Sequence, residues 1–136
     1  MKKEKVDFIK KVSENQILRH FFADEICDFI ACQFALESDF GTSMLAEKFH
    51  NFSGMKVPHK RPTSRSRYRD YLGFCIYFDL DYCVSDYIMR FLYFYPHSNA
   101  VYDLSAFKIH LQNSGYCPEK DYLSRIETIY NQFINN

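Results

Sequence analysis

Gln33-Phe34-Ala35-Leu36-Glu37-Ser38-Asp39-Phe40-Gly41 is the stretch on which the reading of this chain turns. Upstream of Glu37, the apolar residues Ile26, Phe29, Ile30 and Phe34 recur at helical spacing. At about 100° per residue, Glu37 lies only about 20° from the face that carries Ile30. A helix therefore bears a carboxylate on its buried side, near its end, and Gly41 marks a point by which that helix has stopped. Desolvation against Phe34 and Phe40 favours the protonated acid, which is how a glutamate becomes a general acid near neutral pH. Spacing alone leaves a plainer alternative open, a partly exposed helix-end glutamate beside a cation.

The stretch continues through Thr42-Ser43-Met44-Leu45-Ala46 and, after a short gap, Asn51-Phe52-Ser53-Gly54-Met55-Lys56. Gln33, Leu36, Glu37, Ser38, Gly41, Ser43, Leu45 and Ala46 fit a pattern Q-x-x-L-E-S-x-x-G-x-S-x-L-A, and Asn51, Phe52, Gly54 and Lys56 fit N-F-x-G-x-K. In these residues the chain resembles the glucosaminidase domain of bacterial peptidoglycan hydrolases, the group that includes the flagellar rod-cap domain and many autolysins. The likeness extends to Tyr77 at the entry of a later helix, to Asp86-Tyr87 within it, and to Gly115-Tyr116-Cys117-Pro118-Glu119-Lys120-Asp121-Tyr122, which is similar to G-Y-A-T-D-P-x-Y. It implies an α+β, mainly helical, lysozyme-like fold, with a helical lobe, a small β-hairpin lobe and a glycan cleft between them. It further implies cleavage of the β-1,4 bond after N-acetylglucosamine in peptidoglycan, with Glu37 as general acid. A non-catalytic glycan-binding relative of the same fold is the alternative.

Glycoside hydrolysis usually needs a second carboxylate, as base or nucleophile, and the family often carries one on the β-lobe. Between Lys56 and Tyr77 this chain offers only Asp70. Asp70 either takes that role or pairs with Arg67 or Arg69; failing it, the substrate's own 2-acetamido group acts as internal nucleophile. Tyr116 is a further catalytic candidate by resemblance, or else a core tyrosine against the last helix. The expected substrate contacts are Gln33, Ser38, Phe40, Asn51, Phe52, Lys56 and Tyr77. Gln33, one turn before Glu37, can hydrogen-bond the acid or the sugar. Phe40 keeps a flat surface where the family usually has Gly-Trp in place of Asp39-Phe40, while Ser53 stands where a second aromatic is usual. Asn51 either caps the turn before Phe52 or contacts an N-acetyl group.

Residues 1–136 are read as a single domain, with a helix over residues 4–19 preceding a family-like region over residues 20–134. The 17 basic and 17 acidic residues cancel, so no global field draws the chain to nucleic acid or to anionic membranes. Basic residues do crowd locally: Lys56, Lys60, Arg61, Arg65, Arg67 and Arg69 fall in a loop with Pro58 and Pro62. That run reads as a solvated loop, as a clamp for the carboxylates of peptidoglycan stems, or as a nucleic-acid patch with Tyr68 and Tyr71 to stack. Net neutrality and the lack of a reader motif weigh against the third. The expected partner is a peptidoglycan glycan strand bound by a monomer.

Five cysteines without a C-x-x-C pair indicate reduced, mostly buried thiols. The five histidines lack zinc-ligand spacing, so neither a metal nor another cofactor is expected. Charges at Lys2, Lys3 and Lys5 precede no apolar run, so the expectation is no Sec-type signal and no membrane span. A protein made in the bacterial cytoplasm would then reach the wall by another route.

The remaining elements follow from capping and turn chemistry. Asp24 is expected to cap the helix that carries Glu37, and Ser43 a short helix over residues 43–50. Strands are expected over residues 68–71 and 74–78, around Leu72-Gly73. Asp79 caps a helix over residues 80–94 that Pro96 stops. Another helix covers residues 99–112, and Pro118 begins the last.

Overall fold

Helix α3 (Asp24–Ser38) is apolar on nearly every side, and such a helix has to be wrapped by others. The computed structural model describes all 136 residues and shows that wrapping. Helices α1 (Lys3–Ser13) and α2 (Gln16–Phe21) precede α3. After it come the short α4 (Met44–Phe49) and, further on, α5 (Leu80–Phe94), α6 (Leu104–Asn113) and α7 (Tyr122–Ile134). Helix α1 packs along one flank of α3 and α7 along another, while α2 bridges to α5. Phe29, Ile30 and Phe34 of α3 are fully buried in one core with Ile9 and Val12 of α1, Val84 of α5, Phe107 of α6 and Ile126 of α7.

The β-lobe is a tight hairpin. Strands β1 (Asp70–Tyr71) and β2 (Phe74–Cys75) pair antiparallel, with Tyr71 opposite Phe74. Their connection has positive φ at both Leu72 (50°) and Gly73 (87°), the mirror-image turn whose twist suits a two-residue hairpin. Residues 55–57 run along the other edge of β2: Lys56 bridges Phe74, and the Cys75 N–H donates to the Met55 carbonyl at 2.9 Å. The fold is thus α+β and mainly helical, as expected. No helix is long and apolar enough to cross a membrane.

Several boundaries differ from the sequence reading, each for a local reason. The helix expected over residues 4–19 is two, because the Asn15 side chain accepts the Ile17 and Leu18 N–H groups and starts α2 afresh. Asp24 lies in the first turn of α3 rather than before it; Ala23 holds the cap position, and the acid meets the positive end of the helix dipole. Residues 99–112 divide into a single 3₁₀ turn (Asn99–Val101), capped by Ser98, and α6, capped by Asp103. Pro118 lies outside the last helix, which begins at Tyr122. Both strands are shorter than expected. Ser43 and Asp79 cap as expected, accepting the N–H groups of Ala46 and Tyr82.

All five cysteines are unpaired and four are buried. Burial pushes the thiols of Cys27, Cys32 and Cys83 up to about 12 and that of Cys75 to about 11, so they are protonated packing residues at neutral pH.

One ion pair ties the basic loop to the helical lobe. Asp86 of α5 is fully buried, and Arg61 donates to it at 2.7 Å with a side chain only 5% exposed. The Tyr77 hydroxyl donates to the other carboxylate oxygen, and Arg61 also donates to the Pro62 carbonyl at 2.9 Å. Removing one partner strands the opposite charge in the core. Asp86→Ala should cost about 3–5 kcal/mol of stability, and Tyr77→Phe, which leaves the ion pair intact, about 2 kcal/mol. Denaturant melts of the two variants check the order, and equal or negligible losses would show that the pair is not what anchors the loop.

Candidate active site

Glu37 sits in the last turn of α3, and the chain leaves that helix sharply. Ser38 Oγ donates to the Phe34 carbonyl at 2.7 Å and accepts the Gly41 N–H at 2.8 Å. Asp39, Phe40 and Gly41 then adopt positive φ in succession (50°, 55° and 81°). Gly41 is required twice over: for its backbone conformation, and because a Cβ there would lie 2.6 Å from the Phe8 ring. Past α4, the Asn51 side chain organises the next turn. Its amide donates to the carbonyls of Met55 (3.0 Å) and Cys75 (2.9 Å), and its carbonyl accepts the Met55 N–H. That turn lays Gly54, with φ of 71°, directly over the acid. A Cβ on Gly54 would lie 3.1 Å from Glu37 Oε2 and 3.4 Å from Oε1.

A one-directional hydrogen-bond chain ends on the acid. The Tyr87 hydroxyl donates to Gln33 Oε1, Gln33 Nε2 donates to the Tyr122 hydroxyl at 2.9 Å, and Tyr122 donates to Glu37 Oε2 at 3.1 Å. Tyr116 stacks on Tyr122 (centroids 6.1 Å apart, 9° between planes) and donates to the Ser53 carbonyl at 2.7 Å. Burial raises the proton affinity of Glu37 above that of an ordinary glutamate; the Tyr122 bond and Arg125 oppose this, and the charge of Glu119 adds to it. Tyr87, Tyr116 and Tyr122 are held above the usual phenol range, chiefly by burial, so they remain donors.

Beside Gly54 opens a cleft of about 540 Å³. Its walls come from Gly54, Lys56 and the loop to Arg61 on one side, and from Arg90, Tyr93 and Phe94 at the end of α5 with Tyr116 on the other. A smaller groove of about 280 Å³, lined by Glu119, Lys120 and Tyr122, adjoins it across Gly115 and Pro118, which line both.

Of the expected site residues, the structure brings Lys56 and Tyr116 to the cleft wall, immediately beyond the turn that covers Glu37. The others are placed elsewhere. Gln33 is fully buried and holds Tyr122 and Tyr87 rather than a sugar. Ser38, also buried, terminates α3. Asn51, 1% exposed, takes the turn-capping alternative. Phe52 is buried against Phe8. Phe40 is partly exposed, with the Lys5 ammonium of α1 4.7 Å from its ring centre, and it lines no part of the cleft. Tyr77 is buried on Asp86. Asp70 is exposed and pairs with neither Arg67 nor Arg69; it accepts the Gly73 N–H at 2.8 Å and closes the hairpin turn, lining no part of the cleft. Gly54, Tyr122, Tyr87 and Arg90 were not anticipated at the site. Gly54, Tyr87 and Tyr122 lie inside the motifs quoted above, and for the two tyrosines the available signal is a hydroxyl on an otherwise apolar helix face.

Comparison with protein families gives a match over residues 24–135 to the family model Glucosaminidase, described as mannosyl-glycoprotein endo-β-N-acetylglucosaminidase. No curated protein and no solved structure matches the chain.

Two outcomes test this geometry. Gly54→Ala should cost about 1–2 kcal/mol for the left-handed backbone and, by displacing the acid, about a hundredfold in glycan cleavage; a folded variant with full activity would exclude the contact. Second, the native carboxyl of Glu37 binds its proton more tightly than the unfolded one. Its contribution to stability is therefore complete below the unfolded pKa and is lost as pH rises through the native pKa. Thermal melts should show Glu37→Gln gaining on the unaltered protein as pH rises from about 4, and a constant difference would deny the raised pKa.

Proposed function

We propose that this chain, which belongs to the glucosaminidase family, cleaves the β-1,4 bond that follows N-acetylglucosamine in peptidoglycan, with Glu37 as the general acid. Family membership implies a glycoside hydrolase acting on a glycan. The observation that carries the general-acid role is the desolvated carboxyl of Glu37 held directly under Gly54, which itself lines a cleft of about 540 Å³. Since Oε2 already accepts from Tyr122, the acidic proton resides on Oε1. From there it passes to the leaving glycosidic oxygen as positive charge develops at the anomeric carbon. The conjugate base left behind is stabilised by the Tyr122 hydroxyl.

The displacement of the aglycone fits substrate assistance better than a protein nucleophile or base. Asp70 is engaged in the hairpin turn, and no carboxylate lines the main cleft. As Glu37 delivers its proton, the 2-acetamido carbonyl attacks the anomeric carbon, forming a cyclic intermediate while the aglycone leaves; water then opens it, giving its proton to Glu37 as base. Tyr116, an uncharged ring on the cleft wall, flanks this centre. The site of action in this reading is the cell wall, in autolysis or lysis.

The same lack of a second carboxylate favours one other reading, a glycan-binding relative without turnover. Digestion of purified peptidoglycan, with fragments reduced and read by mass spectrometry, separates the two. Reducing-end N-acetylglucosamine, at least about 100-fold less abundant with Glu37→Gln, supports hydrolysis. Muramic acid ends reassign the bond, and an absence of fragments with retained binding supports the non-catalytic relative. Activity should fall on the alkaline side as Glu37 ionises. Tyr122→Phe removes a bond that holds its pKa down, so that limb should move to higher pH; an unmoved or lowered limb would take Tyr122 off the acid.

A further inference from the structure

The charges at the cleft are of one sign. Lys56, Lys60, Arg61 and Arg90 reach its wall and no carboxylate does. Arg61 is matched by Asp86, and the other ion pairs of the protein involve none of these residues. Lys56 and Lys60 are exposed on the loop, whereas Arg90, on α5, is half-buried. Its guanidinium carbon lies 4.6 Å from the ring centre of Tyr116 and 4.9 Å from that of Phe94. Nη1 donates to Ser114 Oγ at 3.2 Å and Nη2 to the Ser114 carbonyl at 3.1 Å. Both partners are neutral, so the fork is held in place while its charge has no counter-ion in the protein. Burial lowers the pKa of Arg90 from the usual arginine value, a cost that an arriving anion would offset.

We propose that Arg90, assisted by Lys56 and Lys60, is the acceptor for carboxylates carried on the glycan's peptide substituents, so that the cleft selects acid-bearing strands over neutral ones. The inference rests on the hydrolase reading above and adds the chemical class that the cleft prefers. A planar guanidinium fixed by aromatic contacts and by Ser114 is preorganised for a carboxylate in a way that a flexible ammonium is not. The two lysines add attraction at longer range, which salt should screen. A neutral N-acetylglucosamine polymer presents nothing to any of the three. Phosphate-containing wall polymers share the anionic chemistry, and the substrates of the test have to separate the two.

The test compares kcat/KM on peptidoglycan freed of phosphate polymers with that on the same material after its carboxylates are converted to amides. For the unaltered protein the acid-bearing strands should be favoured by about tenfold, less at high salt. Arg90→Gln should bring the ratio close to one, Arg90→Lys should recover part of it, and Lys60→Gln should reduce it partway. Should Arg90→Gln fail to fold because the Ser114 turn is lost, Lys60→Gln still decides, since that exposed side chain has no partner in the protein. An active enzyme with equal rates on both materials, or with a ratio unmoved by the substitutions, overturns the proposal. So does a preference that appears only when phosphate polymers are retained. If the unaltered protein cleaves no strand of any kind, the hydrolase reading fails, and this inference with it; that result is distinct from a ratio of one in an active enzyme.

Discussion

Holding a carboxyl group largely out of water at the end of an apolar helix is the constraint around which this structure is arranged. Helix α3 supplies the burial, and the consequences spread outward. Only a residue without a side chain can roof the acid, so the turn above it carries Gly54 at positive φ. A desolvated acid still needs a donor for its conjugate base, and Tyr122 reaches in from α7 to provide one. Tyr122 is oriented in turn by Gln33, and Gln33 by Tyr87 of α5. A single hydrogen-bond chain through α5, α3 and α7 therefore ends on one oxygen atom. A buried polar chain of this kind stabilises only when every member is satisfied, and no buried side-chain nitrogen or oxygen in the protein lacks a partner.

A second buried polar cluster, built on Asp86, performs a different task. The loop that follows Lys56 is rich in proline and arginine and has almost no regular structure. Its position against the helical lobe depends on Arg61 being taken into the core and on Tyr77 closing the other side of the carboxylate. With that anchor the loop becomes one wall of the cleft and α5 the other. The hairpin is small because little is asked of it: β2 steadies residues 55–57, and Asn51 fastens both to the turn that holds Gly54.

The sequence was most legible where a local rule and a motif pointed the same way. Helical periodicity put Glu37 on an apolar face, where its carboxyl is indeed partly desolvated, and the caps at Ser43 and Asp79 were legible because those side chains serve their own backbone. Legibility failed where a side chain's partner lies far along the chain. Phe40 looked like a sugar platform, yet Lys5 of α1 lies over its ring and it lines no part of the cleft. Gln33 and Tyr77 carry polar groups suited to a ligand, but Gln33 is taken up by Tyr122, 89 positions away, and Tyr77 by Asp86, nine positions on. Arg90 was invisible for the opposite reason: within an amphipathic helix it reads as one more solvent-facing charge, and only the arrival of Tyr116 from the C-terminal segment makes it part of a wall. A motif can mark which residues matter together without saying which of them touch the substrate.

The family match begins at residue 24, but the cooperative unit does not. Ile9 and Val12 are fully buried against α3, and Phe8 fills the space beside Gly41 where the chain leaves the helix of Glu37. Residues outside the matched region thus form one side of the core and brace the backbone immediately after the acid. A fragment cut at the edge of the family would expose the apolar flank of α3 and free the turn that sets where Glu37 points. The boundary drawn by evolutionary likeness and the boundary drawn by folding are different lines in this molecule, and for any truncation it is the second that governs.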